Sequence, residues 1–474
     1  MIEKKNSLVR VRFAPSPTGH LHVGGLRSAY FNWLFARHNE GTFLIRIEDT
    51  DALRSKPEFL KSQLESLEWC GIVSDEPLVI QSERQLEYQQ RAQQLIDQGK
   101  AYRCYCSPEE LEQRLGPNAA QSGGYTHYDG HCRNLKITYD YKPYAVRFKL
   151  PHDCYEVVVQ DLIRGAITFT RDVLDDFIIL RSDGNPMYNF SVVIDDAYMR
   201  ISHVIRGEEH LVNTPRQVLL YQAFNYTLPH FAHVPLILGS DGTKLSKRDA
   251  AVSVIEYKHE GYLPEALCNY LIRLGWSHGD QEIFTREQLI KLFSLEEVGK
   301  KGAIFDKAKL TWMNGVFMRT YSACDLAAFI ARDISSSWRS TIPWSEGVLH
   351  GLIELYKERT HTLLELTQVL THLAKAPHDY RCEALQLPQN FGEYFVRYIQ
   401  ELEALNEWTR ATIEFTVKSV CAQYALKLPS LAQPTRCALT GTLTSPSIYD
   451  LMVLLGKDEV LKRLNNFERF SKGV

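Results

Sequence analysis

Residues 11–25 read VRFAPSPTGHLHVGG, and the rest of the chain has to be arranged around them. Val9, Val11 and Phe13 fall on one side of a short alternating strand, with Arg10 and Arg12 on the other. A loop rich in Pro and Gly follows, then a helix whose apolar positions are Leu26, Ala29, Tyr30, Trp33 and Leu34. Strand, glycine-bearing loop and helix in that order make a phosphate-binding corner. The first helical turn offers free backbone N–H groups and the positive end of its dipole. Gly19, Gly24 and Gly25 let a ligand approach the backbone where a Cβ would collide, and His22 adds a side-chain donor. For a glycine-rich loop taken alone, an ordinary strand-to-helix turn is the alternative.

The string PSPTGHLHVGG is more specific than a turn requires. It resembles the HIGH signature of class I aminoacyl-tRNA synthetases, in the form used by the glutamyl and glutaminyl enzymes. Its last position is Gly25 rather than His, a variant common in that branch. A second signature follows at residues 244–248, KLSKR, after a Gly/Asp/Ser loop. Two lysines on a mobile loop can close on a triphosphate and neutralise charge developing on the leaving pyrophosphate. A short basic run is usually a solvated face. In this order after an HVGG corner, it resembles the KMSKS loop.

Between the signatures lie further groups with chemistry to offer. TFLIRIE reads as a buried strand ending at Glu48, Asp49, Thr50 and Asp51, and carboxylates at such a strand end face the ligand crevice of an open α/β sheet. The alternative is a capping cluster for the next helix, above all for Asp51. Residues 201–206 read as an inner strand with Arg206 at its carboxyl end, before Gly207, Glu208, Glu209 and His210. A buried Arg there can fork onto the carboxylate of a free amino acid. An internal salt bridge to Asp195, Asp196 or Glu208 is the competing reading.

The resemblance is to bacterial-type glutamyl-tRNA synthetases and extends over essentially the whole chain. It implies an α/β fold: a Rossmann-type parallel-sheet catalytic domain with an α+β insertion, followed by an all-α anticodon-binding region. The segments expected are 1–100 and 175–253 for the two catalytic halves and 101–174 for an acceptor-stem-binding insertion. Residues 254–320 are expected to be a helical stem-contact domain, and 321–474 the anticodon-binding region. By the same resemblance, glutamate attacks ATP, with Mg2+, to give glutamyl-adenylate, and the terminal adenosine of tRNA(Glu) takes the acyl group. Pro15, Thr18, Gly19, His22, Gly24, Gly25, Lys244, Leu245, Ser246, Lys247 and Arg248 are then the ATP-binding positions, with His22, Lys244 and Lys247 catalytic. Arg12, Ala14, Ser16, Glu48, Tyr188 and Arg206 match the glutamate site. Neither step needs a dedicated nucleophile, since positioning and electrostatics can carry the rate. A cytoplasmic monomer is expected.

Within the insertion, Cys104-x-Cys106 and Cys132 resemble the C-x-C…C-x-H zinc knuckle of some glutamyl enzymes. The family's histidine position is Asn134 here, so a structural zinc would need His131 or His127 as fourth ligand. Three reduced cysteines without metal are the other reading.

Composition restricts the remaining choices. The 474 residues are about three domains' worth, at roughly 150 each. A net charge of −3 argues against a generally basic nucleic-acid binder, and residues 320–474 hold 16 Lys/Arg against 17 Asp/Glu. Contacts to tRNA must therefore be local. No apolar run approaches a membrane span, and ten scattered cysteines suggest reduced thiols. Strand-type alternation is sparse after Tyr321, whereas glutaminyl enzymes end in β-barrels and truncated paralogues lack the tail. Two alternatives from other classes are a small-molecule nucleotidyltransferase and a non-catalytic RNA-binding relic. The long helical tail counts against the first, and intact His22, Lys244 and Lys247 against the second. Whether tRNA for glutamine is also charged, and which residues read the anticodon, the sequence leaves open.

Overall fold

In the computed structural model of this chain, residues 9–116, 128–135, 142–245, 253–377, 380 and 387–471 are described. The expected Ser246, Lys247, Arg248 and His127 lie outside them. Two units form: residues 1–255 with 268–306, and residues 256–267 with 307–474.

In the first unit, β1 (Arg10–Phe13) leads through the signature loop into α1 (Val23–His38) and back to β2 (Thr42–Ile47). β2 runs parallel to β1 with Val11 opposite Phe43 and Phe13 opposite Ile45. After α2 (Pro57–Trp69), β3 (Val79–Ile80) pairs parallel with β2, and α3 (Gln85–Asp97) follows. A stripe of apolar residues was expected on α1. The helix is buried almost all round instead, Arg27 and Asn32 included. Both polar side chains reach backbone carbonyls: Arg27 donates to Pro235 O and Leu274 O, and Asn32 to Ile205 O, while Arg27 Nε and Asn32 Oδ1 have no partner among the described residues.

The stretch between the catalytic halves does not stay apart from the main sheet. β4 (Ala101–Cys104), followed by α4 (Pro108–Leu115), pairs antiparallel with β5 (Ala145–Phe148), which pairs with β8 (Ile178–Leu180). The hairpin of β6 (Glu156–Asp161) and β7 (Gly165–Thr170) instead joins the catalytic sheet. There Asp161 pairs with Phe231 of β10 (His230–Val234) in parallel register. α5 (Tyr188–Tyr198), β9 (His203–Gly207) and α6 (Thr214–Phe224) complete the second half, with β9 parallel to β10. Ser202 N–H to Arg10 O, 2.9 Å, sets the start of β9 beside β1, where the two halves meet. β11 (Ile237–Leu238) pairs with β12 (Ala303–Ile304), and α7 (Val254–His259), α8 (Pro264–Arg273) and α9 (Arg286–Leu292) lie between them in sequence. α9 starts on a capping box made by Thr285 and Gln288.

In the second unit every element after α10 (Lys307–Thr320) is helical among the described residues. They are α11 (Ala323–Phe329), α12 (Trp338–Thr341), α13 (Glu346–Lys357), α14 (Leu363–Leu373), α15 (Phe391–Glu403), α16 (Arg410–Gln423), α17 (Leu428–Thr440), α18 (Ile448–Leu455) and α19 (Lys457–Ser471). Leu349 and Leu352 of α13 and Leu363, Leu366, Leu370 and Leu373 of α14 are buried. No described helix is long and apolar enough to cross a membrane. Eight cysteines are free thiols, but Cys437 is disulfide-bonded, against the expectation of reduced thiols throughout. A compositional argument speaks for the average thiol and cannot fix one pair.

Candidate functional site

The carboxyl ends of β1, β2 and β9 converge, and the signature loop closes over them. Gln63 of α2 holds that loop from behind by donating to Ser16 O at 3.1 Å and Gly19 O at 2.7 Å. Glu48 N–H bonds to Pro15 O at 2.9 Å, which ties the loop to the end of β2. Ala14 is partly buried, and Ser16 faces solvent. Gln63 was not anticipated, because nothing in an amphipathic helix marks which glutamine turns inward.

His22 caps α1. Its Nδ1 accepts the Gly25 N–H at 3.2 Å, so Nε2 carries the proton and is the free donor. The protein packed around the ring lowers its pKa; Glu209 opposes that shift and Lys244 adds to it. A neutral imidazole with one outward N–H results. The glycines divide. A Cβ on Gly25 would sit 2.8 Å from Leu21, and one on Gly24 would sit 3.0 Å from the His22 ring, while beside Gly19 the space is open. A side chain at Gly24 or Gly25 would therefore press on the His22 ring or the end of Leu21, and of the three only Gly19 has open space beside it.

The two signatures meet. Lys244 bridges back to Leu238, Leu245 N–H bonds to Ile237 O at 3.1 Å, and Gly239 N–H bonds to Thr243 O at 2.8 Å. On the far side, Ser253 bridges His22, and Val254 N–H donates to Leu21 O at 2.8 Å. The basic loop is thus anchored at both ends, with its return strapped to the phosphate corner. Thr18, within that corner, makes a tight turn by donating its N–H to Ser16 O at 2.9 Å.

Beneath the corner lies a buried charge network. Asp196 accepts from Arg12 Nε at 2.9 Å and from Arg46 Nη1 at 2.5 Å, and Arg46 Nη2 also reaches Glu48 Oε1 at 3.0 Å. Asp195 accepts from Gln81, Arg84 and Tyr88, all within 2.8 Å. Burial opposes ionisation of Asp196, but Arg12 and Arg46 outweigh it and hold its pKa below the usual carboxylate range. At Glu48 burial wins over Arg46, and the pKa is raised. Arg46, Asp195 and Asp196 had no assigned role. The one available signal was Arg46 itself, a charge inside an otherwise apolar strand.

Arg206 stands apart from these pairs. It is buried, yet among the described residues no carboxylate lies within ion-pair distance of it. Asp195, Asp196 and Glu208, the competing partners, are taken by Arg84, by Arg12 with Arg46, and by Arg164. Its Nε donates to His233 and its Nη2 to Thr214 and Gln217, and the buried Nη1 has no partner. Desolvation lowers its pKa. Tyr188, at the start of α5, is half-buried with its hydroxyl 3.1 Å from His210 Nδ1 and within electrostatic reach of Arg206, Glu48 and Arg12. Burial, then Arg206, lowers the His210 pKa to about 4. Asp49 fixes Ser82, and Asp51 accepts from Arg54 N–H in a turn ahead of α2, whose N-cap is Lys56, so Asp51 does not cap that helix.

A cavity of about 1220 Å³ opens elsewhere, at the amino ends of the strands beside Arg10, His203 and His230. None of the signature residues lines it. In open α/β sheets ligands bind at the carboxyl ends, and the unpaired Arg206 Nη1 lies at the carboxyl end of β9.

In the insertion, the Cys104, Cys106 and Cys132 sulfurs lie within 4.8 Å of one another, with 3.5 Å between Cys106 and Cys132. Thiolates around a tetrahedral zinc at ~2.3 Å would sit about 3.8 Å apart, so the spacing fits. His131 does not join the cluster. The Tyr128 hydroxyl takes the fourth place, 3.5 Å from Cys104 Sγ and 3.6 Å from Cys106 Sγ. Arg147 Nε and Arg114 Nη2 approach Cys104 and Cys106 at 3.3 and 3.2 Å. Despite burial, Arg147 and the Tyr128 hydroxyl lower the Cys104 pKa.

Comparison with known proteins bears on both units. The catalytic domain of class I tRNA synthetases (E and Q) matches residues 8–312, and an anticodon binding domain matches residues 328–467. The glutamate–tRNA ligase of Geotalea uraniireducens (strain Rf4) is 46% identical over 458 residues, covering 96% of this chain and 97% of its own. That of Thermodesulfovibrio yellowstonii is 44% identical, covering 96% and 98%. The crystal structure of a glutamate tRNA ligase from Elizabethkingia meningosepticum in complex with its amino acid gives a TM-score of 0.87 at 32% identity, over 97% of this chain and 99% of that one.

Proposed function

The chain belongs to the class I tRNA synthetases of the glutamate and glutamine family, and from that premise we propose that it is a glutamate–tRNA ligase working at the corner built by Arg12, His22, Glu48 and Arg206. A carboxylate oxygen of glutamate attacks the α-phosphorus of ATP. The bond to the β-phosphate breaks, and pyrophosphate leaves with glutamyl-adenylate remaining. A ribose hydroxyl of the terminal adenosine of tRNA(Glu) then attacks the acyl carbon, and AMP departs. Mg2+ travels with ATP and screens its phosphates when bound.

The observation that carries this reading is the unpartnered Nη1 of buried Arg206. A guanidinium stripped of water and left without a counter-ion costs several kcal/mol, roughly, unless a ligand supplies the anion. Glutamate offers two carboxylates. Glu48, with only Oε1 engaged among the described residues, is left to meet the ammonium. Tyr188, Ala14 and Ser16 line the space between. His22 Nε2–H, the α1 start and Lys244 suit the phosphates, with Leu245, Ser246, Lys247 and Arg248 on the loop between the two anchors. Arg206→Ala is expected to raise the glutamate Michaelis constant about a hundredfold in pyrophosphate exchange, with the ATP constant little changed. A variant that melts early yet keeps its glutamate constant would return Arg206 to a structural role.

Residues 101–174 are assigned to the acceptor stem and 254–320 to stem contact, by the family's order. The anticodon falls to the second unit, where Arg436 has its pKa lowered by burial and then by Arg359. Two guanidiniums in reach of each other suit phosphate or base edges. Such an enzyme works in the cytoplasm, with ATP and tRNA at hand, and each chain carries a complete set of these groups, as a monomer needs.

Cys104, Cys106 and Cys132 would hold a structural zinc with Tyr128 completing the tetrahedron, stiffening the insertion and taking no part in either chemical step. Protein purified without added zinc or chelator is expected to carry one zinc per chain, and Tyr128→Phe to lose it more readily to chelator. Substoichiometric metal in fully active protein would reject the site.

A further inference from the structure

Arg206 is held by something that no active-site reading requires. Its Nε–H donates to His233 Nε2 at 3.2 Å, and His233 Nδ1 lies 2.6 Å from Asp161 Oδ2. Both members of that second pair have fully buried side chains. The donor logic fixes the imidazole. Nε2 must accept from Arg206, which has only N–H donors, so the single proton sits on Nδ1 and points at Asp161. A doubly protonated ring would set N–H against N–H and place a second cation beside the guanidinium. Asp161 is itself immobilised: Oδ1 accepts from Ile163 N–H at 3.0 Å and Arg164 N–H at 2.8 Å, and Oδ2 also accepts from His233 N–H at 3.1 Å. With Thr214 and Gln217 taking Nη2, the guanidinium is gripped on two edges and left open only at Nη1.

Asp161 does not come from the catalytic halves. It ends β6, the insertion strand that enters the main sheet through β10, and His233 stands on β10 opposite Arg206 in the ladder. We propose that Asp161 and His233 are positioning residues for amino-acid recognition: Asp161 fixes the imidazole tautomer, the imidazole anchors Arg206 Nε–H, and the open Nη1 is thereby aimed at a substrate carboxylate. The insertion thus supplies a buried part of the amino-acid pocket in addition to any contact with RNA.

This rests on Arg206 holding a substrate carboxylate, and the experiment separates the two claims. Aminoacylation with saturating tRNA is measured for Arg206→Ala, Asp161→Asn, His233→Leu and His233→Gln, alongside thermal melting of each. Asp161→Asn keeps the shape and removes the charge that selects the tautomer. It is expected to raise the glutamate Michaelis constant about tenfold, with the ATP constant and melting temperature nearly unchanged. His233→Leu should raise it further, and His233→Gln should recover part of the loss, since its amide oxygen can still accept from Nε. If Arg206→Ala alone leaves the glutamate constant unmoved, the reading of the pocket is wrong. If Arg206→Ala raises it while Asp161→Asn and a folded His233 variant stay within twofold of the parent, the pocket stands and the positioning role is overturned. Lower melting temperatures with unchanged glutamate constants also overturn it, and Asp161→Asn decides alone if the His233 variants do not fold.

Discussion

Asp196→Ala is expected to destabilise the first unit by about 3–5 kcal/mol and to abolish glutamate activation. Asp196 is buried and is the shared counter-ion of Arg12 and Arg46. Without it, among the described residues, Arg12 keeps no carboxylate within ion-pair distance, and Arg46 retains Glu48 at 3.0 Å and Asp195 at 3.9 Å. A buried guanidinium left bare is the costliest outcome of breaking such a pair, well beyond the roughly 1 kcal/mol typical of exposed ion pairs. Urea unfolding of the parent and variant measures the difference, and a loss under 1 kcal/mol would remove Asp196 from its place at the centre. The pH dependence has a definite sign. The folded-state pKa of Asp196 is lowered from 3.8, so its stabilisation is complete above that value and is lost as pH falls through the lower folded pKa. Acid below about pH 4 should therefore narrow the gap between parent and variant.

Lys247→Ala is expected to lower adenylation turnover by about a hundred- to a thousandfold, with the glutamate Michaelis constant within twofold of the parent. Lys247 lies outside the described residues, but both ends of its loop are fixed: Leu245 to Ile237, and Val254 to Leu21 beside His22. The lysine's charge gains most when the bond to pyrophosphate lengthens and negative charge accumulates on the leaving group, which is a transition-state interaction and so appears in turnover. Single-turnover pyrophosphate exchange with saturating ATP separates the terms. Normal turnover with only a raised glutamate constant would move Lys247 out of the chemistry.

The phosphate corner was legible because its residues are adjacent in sequence. Strand, loop and helix each follow from local pattern, and His22 as the cap of α1 is a local event. The helical second unit was legible for a similar reason, since Leu363, Leu366, Leu370 and Leu373 declare one face at helical spacing. Resemblance supplied the residues proposed for the glutamate site, which no periodicity marks. For the fourth position of the thiol cluster, spacing along the chain offers His131 or His127; His131 does not join the cluster, His127 lies outside the described residues, and Tyr128 reaches Cys104 across 24 residues.

By itself the sequence determined the order of elements, the two signatures and the residue types able to handle phosphate and carboxylate. Only the tertiary structure decided which charges are spent on one another. Arg12 and Asp196 are 184 positions apart, Arg46 and Asp196 are 150, and Asp161 and His233 are 72. The pairing energy of buried ions depends on contact and exclusion of water, both set by how the sheet closes. Once Asp195, Asp196 and Glu208 are occupied elsewhere, Arg206 is left with an open N–H among the described residues, and that remainder is what carries the proposed glutamate site.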